Sequence, residues 1–156
     1  MAIKGNGQDY DATFSAGSTV KTTTAQYLVV GMEATATSAD HTAYMANAGA
    51  ALSSTITARS AIGIVQSYPS ASSEAVTTRL LGISKAKCAA SIPAGAFVSA
   101  YEGASTTTFA GYINEETFGT VLTSSAHRVV LGRALESGST GTTISVMLNP
   151  SVVRIA

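Results

Sequence analysis

The chain of 156 residues has no tryptophan, one cysteine, three prolines and only 12% charged residues, and each shortage narrows what it can be. Cys88 has no second thiol to pair with inside the chain, so no internal disulfide framework holds the fold together. At this length none is required, because roughly two thirds of the unfolded surface leaves water on folding of a single domain. Nine basic and nine acidic groups cancel to a formal net charge of zero. Lys and Arg are few and scattered from Lys4 and Lys21 to Arg133 and Arg154. A nucleic-acid partner, which such groups would have to neutralise phosphate by phosphate, is therefore not expected. No apolar run approaches the ~20 residues that cross a bilayer, so no membrane partner is expected. The opening Met-Ala-Ile-Lys lacks the apolar segment of a secretory leader, and Asn149 is followed by proline, so no glycosylation sequon is present. Synthesis in a cytoplasm is the expectation.

What fills the chain instead is Ala, Gly, Ser and Thr, the two hydroxyl residues making up roughly a quarter of it. A neutral, sparsely charged surface favours association over free diffusion, so the composition suits a subunit of an assembly.

Short β-branched and apolar runs recur between Gly, Ser, Pro and Asn at the spacing of an all-β barrel or sandwich. The clearest is a C-terminal hairpin. Ile144, Val146 and Leu148 alternate with Thr143, Ser145 and Met147, and residues 126–135 form the partner strand through a 136–141 turn containing Gly138 and Gly141. Val129 and Leu131 fall on one face of that partner, Arg128 and Val130 on the other. Further strands are expected at 10–14, 27–32, 62–66, 76–83 and 96–101. The continuous run Tyr27-Leu28-Val29-Val30 predicts a strand buried on both faces. Residues 43–52, rich in Ala and Met but interrupted by Gly49, allow a short helix or an irregular crossover. Residues 1–8, with Gly5, Asn6, Gly7 and the lone aliphatic Ile3, read as a flexible arm ahead of a single β domain at 9–156.

Chemistry-bearing patterns are sparse. His41 and His127 have no second ligand at metal-binding spacing. Asp9 and Asp11 share one strand face, as a glycosidase pair or calcium ligands could, yet the rest of either constellation is missing, and Glu115-Glu116 has the same defect. No serine sits in a Gly-x-Ser-x-Gly turn, and no glycine-rich phosphate loop follows a strand. Cys88 reads as a buried, inert thiol, although Lys85 and Lys87 could activate it if exposed. No catalytic residue, cofactor or metal site is expected, and the protein reads as a non-enzyme.

Four motifs in order carry a resemblance. Phe14-Ser15-Ala16-Gly17-Ser18 precedes Gln26-Tyr27-Leu28-Val29-Val30; Ile62-Gly63-Ile64-Val65-Gln66 precedes Pro69; Leu81-Gly82-Ile83-Ser84-Lys85 precedes Ile92-Pro93-Ala94-Gly95; and Leu131-Gly132-Arg133-Ala134-Leu135-Glu136 closes with 144–148. Together, from about Phe14 to Leu148, they resemble the small capsid decoration (cement) proteins of tailed bacteriophages. Two departures are Ser73-Glu74 in place of the family's Gly-Glu, and a stretch at 109–125 longer than in the shorter members. The resemblance implies a non-enzymatic, mainly β subunit on the outer surface of the virion, a homotrimer bound to the major capsid protein. An arm can add a strand to the edge of a capsid sheet, which makes Ala2, Ile3, Lys4, Asn6 and Gln8 the expected capsid contacts. The other binding-module reading is a head fibre or adhesin domain that holds host-surface glycans through the Thr-rich 103–111 loop with Phe109 and Tyr112.

Overall fold

A computed structural model of the chain describes residues 4–5, 9–16, 25–32, 42–45, 61–71, 74–101, 109, 111–117 and 127–154. The described residues are mainly β, in a nearly closed barrel-like arrangement. Ten strands follow in chain order: β1 Lys4–Gly5, β2 Tyr10–Ala16, β3 Val29–Met32, β4 Thr42–Met45, β5 Ala61–Val65, β6 Ala75–Lys87, β7 Phe97–Ala100, β8 Ile113–Glu115, β9 His127–Ala134 and β10 Thr143–Arg154.

Five of these close on themselves. The sheet order runs β1-β2-β4-β3-β5-β6-β10-β9-β7-β8, and an additional β2–β6 pairing joins the first part into a ring. Within that ring the β2–β4 pairing is parallel and the other contacts are antiparallel. Alternation explains the filling of the ring: Ala12, Phe14 and Ala16 of β2 and Val76 of β6 point inward and meet Leu28, Val30 and Val65 in one core. The second half of β6 pairs with β10, and β10, β9, β7 and β8 extend it as a second sheet.

The second sheet has a core of its own, in which Ile92, Val98, Ile113, Leu131, Ile144, Val146 and Leu148 pack against Val29 and Ile64. Neighbouring residues therefore serve different cores. Val29 and Ile64 face the second sheet while Val30 and Val65 face the ring interior, and all four are fully buried. This is why the run that ends in Val29-Val30 is unbroken: each such side chain contributes about 1.5–3 kcal/mol on removal from water, on both faces of the strand, whereas Tyr27 and Leu28, expected within it, lie in the turn ahead of β3.

The C-terminal hairpin forms as its alternation predicts, with Ile144, Val146 and Leu148 buried and Met147 exposed. Val130 is buried along with its neighbours Val129 and Leu131, so at this point both faces of β9 are covered. β10 continues past the predicted 148 to Arg154, because the register slips between Leu148 and Ser151, a bulge that accommodates Pro150, which has no N–H for the ladder. The connecting segment is stitched as well: Gly138 and Ile92 exchange both backbone hydrogen bonds, and the Cys88 N–H donates to the Thr142 carbonyl. One reading changes. The start of 43–52 is extended rather than helical, since Thr42–Met45 pairs with β2 and β3, and residues 46–52 lie outside the described residues. Within the 1–8 arm, Lys4 and Gly5 pair antiparallel with Asp11 and Tyr10.

Two contacts in this fold leave no slack. A Cβ placed on Gly132 would sit 1.9 Å from the Met147 carbonyl oxygen, so Gly132→Ala is expected to destabilise by more than about 2 kcal/mol, read as a lowered unfolding midpoint. Thr78 is fully buried on β6, and its Oγ1 has no hydrogen-bond partner among the described residues. Replacing it by a methyl-bearing side chain of the same shape removes that cost. Thr78→Val should raise stability by about 1–2 kcal/mol in denaturant titrations.

Candidate functional site

The surface that the sequence marks as a contact site begins at β1. Of the expected contacts, Lys4 lies in this strand, while Ala2, Ile3, Asn6 and Gln8 lie outside the described residues. β1 stands at the end of the sheet order, and among the described residues β2 is its one strand neighbour. Its second edge can accept a further strand through main-chain hydrogen bonds.

Directly beneath β1, the Asp9/Asp11 pair is assembled around an arginine. The Arg79 guanidinium donates from Nε and Nη2 to the two Asp11 carboxylate oxygens at 2.8 and 3.1 Å, and its Nη1 lies 3.1 Å from Asp9 Oδ2. Asp9 Oδ1 also accepts the Ile83 N–H at 3.1 Å, and the Ile83 carbonyl accepts from Arg79 Nη1. The same-face reading of the two aspartates thus holds, and their chemistry is that of a clasp. It ties the start of β2 to β6 where the β2–β6 register slips between Tyr10 and Asp11. The hydrogen bond to Asp11 and both negative charges raise the Arg79 pKa against the opposing effect of its partial burial. Arg79 was not singled out by motif. Its signal was parity: on β6, odd residues such as Arg79 alternate with buried Val76 and Thr78.

The glutamines and the glutamate of the resembling motifs are also brought to structural positions. Gln26 Nε2 donates to the Gln66 carbonyl, and Gln66 Nε2 donates to the Ile64 carbonyl and to Ser84 Oγ at 2.9 and 2.8 Å. Three motifs far apart in sequence thereby meet in one hydrogen-bonded junction of β3, β5 and β6. Tyr27 beside them adopts a left-handed backbone (φ 67°) and donates its N–H to the Val65 carbonyl. Glu136 accepts the Ser145 N–H and lies 3.2 Å from Lys85 Nζ. The Ser145 hydroxyl, the Ser145 N–H and Lys85 hold the Glu136 carboxyl below its usual range. Glu74, at the Ser-Glu departure, is lowered by the Ser70 N–H and hydroxyl and the Ala71 N–H, which it gathers into a turn.

The other candidates separate. Glu115 ends β8 opposite Val98, and Glu116 is buried with its N–H donated to the Phe97 carbonyl. His127 heads β9, and His41 lies outside the described residues. Among the described residues no three His, Cys, Asp or Glu side chains converge as metal ligands. Cys88 is fully buried in the larger core, and that burial pushes its thiol pKa up, which disfavours the nucleophilic thiolate. Phe109 meets Tyr101 and Tyr112 edge-on at 5.8 and 5.4 Å, so these rings pack on one another at the base of the 103–111 loop, whose residues 103–108 and 110 lie outside the described residues.

Compared with known proteins, the chain matches no family model, no curated protein and no solved structure.

Two outcomes follow from the carboxylate contacts. Arg79→Ala leaves Asp9 and Asp11 facing each other without a cation and should cost about 1–3 kcal/mol, measured by denaturant unfolding. Because the folded-state pKa of Glu136 lies below the ordinary glutamate value of 4.5, its contribution is present above that pH and is lost as pH falls through the lowered value. Glu136→Gln should therefore lower the melting temperature at pH 7 and flatten its decline below about pH 4.5, in a melting series across pH.

Proposed function

We propose that this protein is a structural virion subunit that binds the outer surface of an assembled bacteriophage head and stabilises it, with the major capsid protein as its partner. The observation that carries the reading is the position of β1: a two-residue strand at the end of the sheet, inside the arm expected to make the contact, with β2 as its one strand neighbour among the described residues. Strand addition uses main-chain groups, so it asks little of side-chain chemistry. That suits an arm whose residues are Ala, Ile, Lys, Asn and Gln.

Two further features support it. Asp9, Asp11, Glu74 and Glu136 are committed to holding turns and strand crossings together. The ordered motifs that resemble the cement family also have structural positions, with Gln26, Gln66 and Ser84 at one junction and Gly132 at a strand crossing where no side chain fits. In the trimer that the resemblance implies, three arms on one particle raise each other's effective concentration, and weak single contacts add up to durable attachment.

The test is co-sedimentation of the purified protein with expanded, undecorated heads beside unexpanded proheads, together with the temperature at which the heads release DNA. Saturable binding to expanded heads and a raised release temperature are expected, and deletion of residues 1–8 should weaken that binding about tenfold or more. Absence of binding to either particle overturns the proposal and turns attention to glycan binding by the loop beside Phe109 and Tyr112.

A further inference from the structure

An apolar row outside the two cores lies on the outer face of β6, β10 and the end of β9. Tyr10, Leu81, Ile83, Leu135 and Met147 are each between 38% and 51% exposed. They are neighbours by register. Tyr10 stands opposite Leu81, Ile83 opposite Met147, Met147 opposite Arg133 and Arg133 opposite Phe97, while the Leu135 N–H donates to the Ser145 carbonyl one step along. The Ile83 N–H and carbonyl are turned towards Asp9 and Arg79, away from β10, so Ile83 and Met147 form the closer, non-hydrogen-bonded kind of cross-strand pair.

This row is charged at its two ends with opposite sign. On the β2 side of Ile83, Arg79 is the one cation that Asp9 and Asp11 share among the described side chains, which leaves one negative charge in excess among them. On the β9 side of Met147, Arg133 lies over the Phe97 ring at 4.1 Å, and among the described residues it has no carboxylate partner. Lys85 and Glu136 beside the row neutralise each other. Negative end, apolar centre and positive end thus follow in line across three or four strands, a span of about 10–15 Å.

We infer that this face pairs with the same face of a second copy of the chain, about a two-fold axis that runs parallel to the strands between β6 and β10. That rotation exchanges the two ends of the row. Arg133 of one copy then lies over Asp9 and Asp11 of the other, twice, while Ile83 of each copy packs against Met147 of the other at the centre. A surface complementary to itself in this way needs no other protein, and a chain of zero net charge approaches its own copies without long-range repulsion. The exposed apolar side chains amount to on the order of 400 Å², which makes the dry centre of a standard interface of about 800 Å² per partner once the surrounding Arg133, Lys85, Thr143 and Ser145 are included. This inference concerns the free chain in solution, whereas the trimer of the proposed function is an arrangement on the head, and β1 is not used.

Sedimentation velocity of the full chain over a concentration series from about 1 to 200 μM tests it. A reversible monomer–dimer equilibrium is expected, weakened by salt because the end contacts are ionic. Met147→Lys and Ile83→Lys, each at an exposed position, should raise the dissociation constant about tenfold or more with the melting temperature of the dilute monomer held. Val152→Lys, at a similarly exposed site away from the row, should leave it unchanged. A monomer throughout the series, a trimer in place of a dimer, or a dimer that survives both lysine substitutions overturns the inference.

Discussion

Both faces of β3 and β5 have to be kept dry, and neither the ring nor the second sheet can do this alone. Val30 and Val65 are covered from inside the ring, Val29 and Ile64 from the second sheet. The two sheets therefore have to be held at a fixed relation, and the thirteen residues of β6 do so by belonging to both, paired with β2 and β5 in the first half and with β10 in the second. The polar groups collected along β6 fit this role. Gln66 reaches Ser84, the clasp of Asp9, Asp11 and Arg79 spans the point where the pairing changes, and Lys85 meets Glu136. Each joins β6 to a different neighbour, so that the apolar burial on either side comes with a defined register.

Much of this was legible wherever a local pattern reported a local fact. Alternation in 143–148 gave the buried set of β10 correctly, and the unbroken run before Gly31 reported burial on both faces of β3. What local pattern cannot report is which strand lies beside which. Barrel and sandwich give the same strand spacing, and the closure of the ring depends on β2 meeting β6, residues some 65 positions apart, through pairs such as Phe14 with Val76. The 43–45 segment misled for a similar reason: Ala and Met favour helix by intrinsic propensity, and pairing with β2 and β3 overrode it.

The functional surface was legible only in part. Asp9 and Asp11 were visible as a same-face pair, but the residue that decides their chemistry, Arg79, is far away in sequence and is recognised by its parity on β6. Met147 was placed by alternation on an outward face, whereas the exposure of Ile83 and its adjacency to Met147 are properties of the β6–β10 register. Exposure of a single large apolar residue is ordinary; exposure of several in one row forms a continuous apolar surface. Sequence periodicity supplies the first fact and topology the second.

The scarcity of charge gives the clasp a wider role. With few ionic groups on the chain, each pair that is committed to the fold removes a sizeable share of what could mark a surface. Arg79 absorbs one of the two aspartates near β1, and Lys85 and Glu136 absorb each other, so that among the described side chains the residual charges beside the exposed row are one carboxylate and Arg133. The ionic groups that secure β6 thereby also set the sign of each end of the outer face. A change at Arg79 would not act on stability alone: it would leave both aspartates unbalanced, double the negative excess at that end of the row, and alter what the face attracts.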